Sequence, residues 1–257
     1  MLSYRKLAMR VLGRPLHTEG IDSPRPASQR AAALVLTAAM LTTLAAPAFA
    51  KTWYIENGNI TVKAGKIEGT NKVSQGETTD EKDTDTVITN RDKDTASSHT
   101  VTIDAKDKDD KVEVTLKDVN IDASSGSEAA VSVTGKGDTT IELDGDNELK
   151  SGAGHAGLEH NKTDTSGELT IQDKDNNGSL EAAGGFKGAG IGSAGSNDAQ
   201  VKITGGNITA TSDDWGAGIG SGSYGTGTVE ITGGEINATG GYLGAGIGGG
   251  CNGSGNV

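Results

Sequence analysis

The sequence predicts an all-β chain wound as a right-handed parallel β-helix, with about 28 residues in each coil. Three observations carry that prediction. Val201 to Thr228 reads VKITGGNITATSDDWGAGIGSGSYGTGT and Val229 to Asn256 reads VEITGGEINATGGYLGAGIGGGCNGSGN, two copies that agree at 16 of 28 positions. A fixed period of this length is the mark of stacked supersecondary units. Within each copy the apolar residues alternate, as in Val229-x-Ile231, Ile236-x-Ala238 and Ala245-x-Ile247, which is the spacing of strands with one buried face. The copies also hold 8 and 11 glycines, and each glycine costs about 1 kcal/mol against alanine inside a helix. Those glycines keep no triplet period, so collagen is excluded. A sandwich or propeller leaves the near-constant phase of one three-strand unit unexplained. A solenoid explains it, stacking equivalent positions in columns about 4.8 Å apart, with the hand set by the usual crossover preference.

The first 50 residues read as an export signal rather than as fold. Arg5, Lys6, Arg10, Arg14 and Arg30 precede the apolar run AAALVLTAAMLTTLAAPAFA, which closes on Ala48-Phe49-Ala50 before Lys51, the order of a charged region, an apolar region and a small-residue cleavage site. The expected product is secreted or displayed at a bacterial cell surface, with no membrane insertion after cleavage. Losing six basic and two acidic side chains takes the formal charge from -12 to -16. A surface this acidic repels nucleic acid and anionic lipid. Arg91 is the one arginine beyond the cleavage point, which argues against phosphate recognition by bidentate forks. The single cysteine, Cys251, leaves an exported chain without intramolecular disulfides.

Residues 51–110 are expected to form an N-terminal cap and irregular early coils, for their strand-like runs (Ile55, Ile60 and Val62; Val87 and Ile88; Val101 and Ile103) lack a constant spacing. The charged stretch from Gly76 to Lys111 reads as solvated loop. Regular coils follow over 111–257 and are expected to be truncated at the C-terminus, since Val257 stands where a further copy would begin. Five coils are traceable, starting at Val112, Ile141, Leu169, Val201 and Val229. The expected steps are 29 residues from Val112 to Ile141, then 28 to Leu169, with four extra residues between Ile171 and Leu180. In this register Leu149 and Leu158 each fall one position late.

The stretches VEVTLKDVNIDASSGSEAAVSV (Val112 to Val133) and TIELDGDNELKSG (Thr140 to Gly152) resemble secreted bacterial β-helix proteins known as carbohydrate-binding domain proteins. The GAGIG copies are similar to Gly-rich coils of gut Firmicutes surface proteins. The resemblance covers about Val101 to Val257. It implies binding of an extracellular polysaccharide or a host or bacterial glycan, with calcium a possible companion, and no established catalysis.

An aromatic precedes each GAG turn: Phe186, Trp215 and Tyr242. Rings in a row can stack on the C–H faces of sugars, or shield the hydrophobic edge of a coil. Asp213 and Asp214 beside Trp215 suit either hydrogen bonds from sugar hydroxyls or simple solubility. Phe186 and Tyr242 are expected in one column, with Trp215 one position later. Asp173, Asp175 and Asn177, followed by Gly178, open like a calcium loop. Glu181 is the nearest further acid, because position 184 is Gly. The same residues also suit an Asx-rich turn. His155 and His160 flank Glu159, and a metal there would need a ligand from a neighbouring coil.

The function expected is therefore non-catalytic glycan binding, for adhesion or substrate capture. A structural stalk presenting a terminal module, and a polysaccharide lyase or glycosidase, are the alternatives. The enzyme reading lacks the arginine that such lyases often use near calcium-binding acids, since Arg91 lies outside the traced coils. Adjacent Asp213 and Asp214 point to opposite faces on a strand, unlike the paired carboxylates a glycosidase needs.

Overall fold

The computed structural model describes residues 50–257, so nearly all of the expected signal segment lies outside the described residues. Among the described residues no helix is long and apolar enough to cross a membrane. The chain is a parallel β-helix whose strands build three faces. On the first face β1 (Lys51–Tyr54), β5 (Thr86–Thr89), β7 (Lys111–Lys117), the first half of β10 (Asp138–Lys150), β12 (Leu169–Gln172), β15 (Asp198–Ile203), β18 (Thr226–Ile231) and β21 (Ser254–Asn256) succeed one another, all parallel. The second face holds β8 (Asn120–Asp122), the second half of β10, β13 (Gly178–Gly184), β16 (Asn207–Ser212) and β19 (Glu235–Thr239). On the third face lie β2 (Ile60–Ala64), β6 (Val101–Ala105), β9 (Val131–Gly135), β11 (Leu158–Lys162), β14 (Ile191–Gly192), β17 (Ile219–Gly220) and β20 (Ile247–Gly248).

Alternation along each strand decides what is inside. Val114, Ile141, Ile171 and Ile203 form a column on the first face, each fully buried. Ile121, Leu149, Ala182 and Ala210 do the same on the second, and Val131, Leu158, Ile191 and Ile219 on the third. Every interior side chain thus packs on its own counterpart one rung away. That is why no coil has a core of its own.

The irregular spacing upstream of Val112 has a local cause. Between β2 and β5 the chain inserts an antiparallel hairpin, β3 (Asn71–Gln75) and β4 (Thr78–Asp83), which pairs with β2. Lys51 consequently meets Thr86, and Ile60 meets Val101, steps far longer than one regular coil. Asp83 at the end of the hairpin is fully buried and accepts hydrogen bonds from the Trp53 indole at 2.7 Å and from the Lys51 main chain at 3.1 Å. The insert is tied to the first rung by a carboxylate.

The expected register is corrected at β10. Thr139 pairs with Val112 and with Leu169, and Ile141 pairs with Val114 and Ile171, so the steps are 27 and 30 residues rather than 29 and 28. A slip of two residues keeps every side chain on its own side of the sheet, so the apolar pattern is blind to it. What selects the observed register is the second face. β10 runs straight through the corner, Leu149 lies between Ile121 and Ala182, and Asn147 accepts the Val119 N–H at 3.0 Å. Leu149 and Leu158 are therefore in column, not one position late. The cost falls on Thr139, which occupies the core at 1 % exposure with its hydroxyl unpartnered. The four-residue insertion after Ile171 stands as expected, with Leu169 on Val201 and Leu180 on Ile208.

Candidate functional site

The corner between the second and third faces carries the aromatic residues. In the coil after β13, Gly185 accepts the Gly188 N–H at 2.9 Å, closing a turn with Phe186 and Lys187 at its tip, and Lys187 has φ +72. The coil after β19 makes the same turn, with Gly244 N–H on Gly241 O at 2.9 Å and Leu243 at φ +64. Between them the coil after β16 turns differently. Gly216 N–H bonds the Ser212 hydroxyl at 3.0 Å, and that hydroxyl donates to Gly188 O on the previous rung. A left-handed residue is absent from this middle turn, and Trp215 leans back one rung towards Phe186.

The two rings lie 5.1 Å apart between centroids at an interplanar angle of 45°, a tilted pair within the favourable range. The Lys187 ammonium stands 5.2 Å from the Phe186 centroid and 5.3 Å from that of Trp215, inside cation–π reach of both. Tyr242 shares the column of Phe186 as expected, yet the two are separated by two rungs, about 9.6 Å. It stands alone, 71 % exposed. The expected row of three rings is thus a pair and an outlier.

Asp213 is exposed and Asp214 half-buried. Neither carboxylate has a hydrogen bond or ion pair within the described protein, while the Asp213 main chain is fixed by its N–H on Gly184 O. Beside the rings runs a groove lined by Ser124, Lys150, Ser151, Thr211 and Asp213 over the bare backbone of Gly184 and Gly185. Lys150 in that groove is paired with Glu148, which holds its ammonium above the ordinary lysine range. Lys187 escaped sequence reasoning. Its signal was positional, a basic residue 28 before Trp215 in the same column.

The other expected sites are dispersed. Asp173 is buried and turns both carboxylate oxygens on its own loop, accepting Asn177 N–H at 3.1 Å and Gly178 N–H at 3.0 Å. The carboxylate thus closes its own loop, capping main-chain donors four and five residues on. Asp175, Asn177 and Glu181 are exposed. Among the described residues no three His, Cys, Asp or Glu side chains gather to hold a metal ion, so the acids of this loop do not converge. His155 and His160 face opposite ways. His155 Nδ1 is 2.8 Å from the buried Glu159 carboxylate, which also accepts Ala156 N–H and Asn161 Nδ2–H. His160 points into the core, its Nδ1 3.1 Å from Gln200 O, and burial pushes its pKa down.

A beta helix repeat family matches residues 201–223 and 229–251, the coils that run from β15 to the turn after β20. No curated protein matches the chain, and no solved structure does. The repeat match and the stacked rungs together identify a parallel β-helix protein.

Proposed function

We propose that the protein is exported or displayed at the cell surface and binds extracellular polysaccharide there, for adhesion or capture and without chemical change to the glycan. The observation that carries this reading is the Phe186–Trp215 pair, two rings 5.1 Å apart at a solvent-facing corner in a chain that is only 3 % aromatic. Large rings held at the surface need a reason, and a sugar's C–H face is a partner of matching size and character. The free carboxylates of Asp213 and Asp214 supply acceptors for hydroxyl groups on the same side.

Retention on immobilised glycans tests the reading. Trp215→Ala is expected to weaken binding by roughly 0.5–1.5 kcal/mol, the worth of one aromatic contact beyond area, and Phe186→Ala by a similar amount. Tyr242→Ala, remote from the pair, is expected to have the smaller effect. Retention unchanged in all three variants sinks the platform, and release of shortened or unsaturated products sinks its non-catalytic character.

A further inference from the structure

We infer that the glycan bound at this corner is an acidic one, carrying a carboxylate or sulfate that Lys187 receives. The inference rests on the aromatic-platform reading and adds the substrate class to it. Several lysines of the coils are already neutralised. Lys174 bridges Glu113 and Glu142, Lys202 pairs with Glu230 across one rung, and Lys150 pairs with Glu148. Lys187 makes no ion pair within the described protein, and its ammonium rests instead against the two rings. A cation–π contact at an exposed corner is weak, so the side chain can leave the rings when a sugar arrives. Its four-carbon stem keeps the charge within reach of the same ligand.

The root of that side chain is firmly placed. Lys187 O accepts Ser223 N–H at 2.9 Å, and the bare backbone of Gly195 and Gly222 packs against it. The residue also sits in the left-handed region at φ +72, where glycine is unstrained and lysine is not. Leu243 holds the equivalent position with φ +64, so the turn tolerates a side chain there. A cation at this corner therefore costs backbone strain, returns no ion pair to the protein, and stands beside two sugar-sized apolar faces. An anion on a stacked sugar satisfies it, while Asp213 and Asp214 take the hydroxyls.

The test uses a matched pair of ligands, tetramers of β-1,4-linked glucuronic acid and of β-1,4-linked glucose, titrated by calorimetry at low and at physiological salt. The intact protein is expected to bind the acidic tetramer about tenfold more tightly at physiological salt, as one charge-assisted contact provides. Lower salt is expected to narrow that margin, because the chain's net charge and the free Asp213 and Asp214 then repel the anion over a longer range. Lys187→Gln and Lys187→Gly are expected to abolish the preference but to retain the neutral tetramer. Lys187→Gly should also raise the melting temperature, which shows that the fold is intact. Equal binding of both tetramers, binding of neither, or a preference that survives Lys187→Gln overturns the acidic-glycan inference. Loss of both ligands in Trp215→Ala with the Lys187 variants unaffected would leave the platform standing alone, whereas no effect of Trp215→Ala on either ligand would remove the platform itself.

Discussion

Lys187 and Trp215 occupy the same position on successive coils, because Gly184 pairs with Ser212 before them and Ile191 with Ile219 after them. The ammonium of the first stands 5.3 Å from the ring centre of the second. Stacking of identical positions is what holds this fold together, and here it sets unlike residues one above the other. The columns also determine which substitutions the chain can bear.

Two glycines that both have positive φ should respond very differently to alanine. At Gly192, φ is +135 and an added Cβ would lie 1.8 Å from Gly220 O on the next rung. At Gly154, φ is +91 but nothing lies within 4 Å. Gly192→Ala is expected to cost about 3 kcal/mol or more, through strain and clash together, and Gly154→Ala about 1 kcal/mol, through backbone strain alone. Urea unfolding of the two variants measures the difference, and equal costs would mean that the rungs shift freely.

Acid should weaken the fold through His160. Burial lowers its pKa below the ordinary histidine value of 6.5, only partly offset by the hydrogen bond to Gln200 O. With the folded pKa depressed, the unfolded chain binds the proton more readily. Stability from this group is therefore complete above the unfolded pKa of about 6.5 and falls as pH drops through it towards the folded value. The melting temperature of the natural protein should drop more between pH 7.5 and pH 5.5 than that of His160→Asn, which keeps a donor for Gln200 without titrating. Parallel profiles would remove His160 from the acid response.

The hairpin inserted into the first coil should depend on Asp83. Its carboxylate accepts Trp53 Nε1–H at 2.7 Å, and Lys51 N–H and Asp85 N–H at 3.1 Å each. Asp83→Ala leaves the buried indole and two main-chain donors without an acceptor, a loss on the order of 3 kcal/mol. Asp83→Asn retains one carbonyl oxygen and should cost less. Chemical denaturation of both variants ranks them, and equal costs would show that the charge rather than the acceptor matters.

Much of this architecture was legible before the structure, and the residues show where legibility stops. Val201 with Val229, and Ile219 with Ile247, could be paired from spacing alone, for a repeat of constant length fixes register without knowledge of contacts. Thr139 could not be placed, since a two-residue slip leaves the inside and outside of β10 unchanged and only the Leu149 and Asn147 contacts on the adjoining face decide it. The aromatic corner was half readable. Phe186, Trp215 and Tyr242 stand out in sequence, but their separation along the axis and the Ser212 turn that tips Trp215 towards Phe186 belong to three dimensions. Asp173 shows the same limit, because the acid that opens a calcium loop and the acid that closes its own loop on main-chain N–H groups have one spelling.

The column of Gly192, Gly220 and Gly248 has a mechanical consequence. Ser193 N–H bonds Gly220 O at 3.0 Å and Ser221 N–H bonds Gly248 O at 2.9 Å, so each coil is clasped to the next by main chain at a corner where no side chain intervenes. A pull along the axis loads the bonds of one junction side by side, and the junctions one after another. The chain should yield as a ratchet does, one turn at a time. Each regular coil would pay out 28 residues, roughly 95 Å of extended backbone, while the rungs beyond it stay closed.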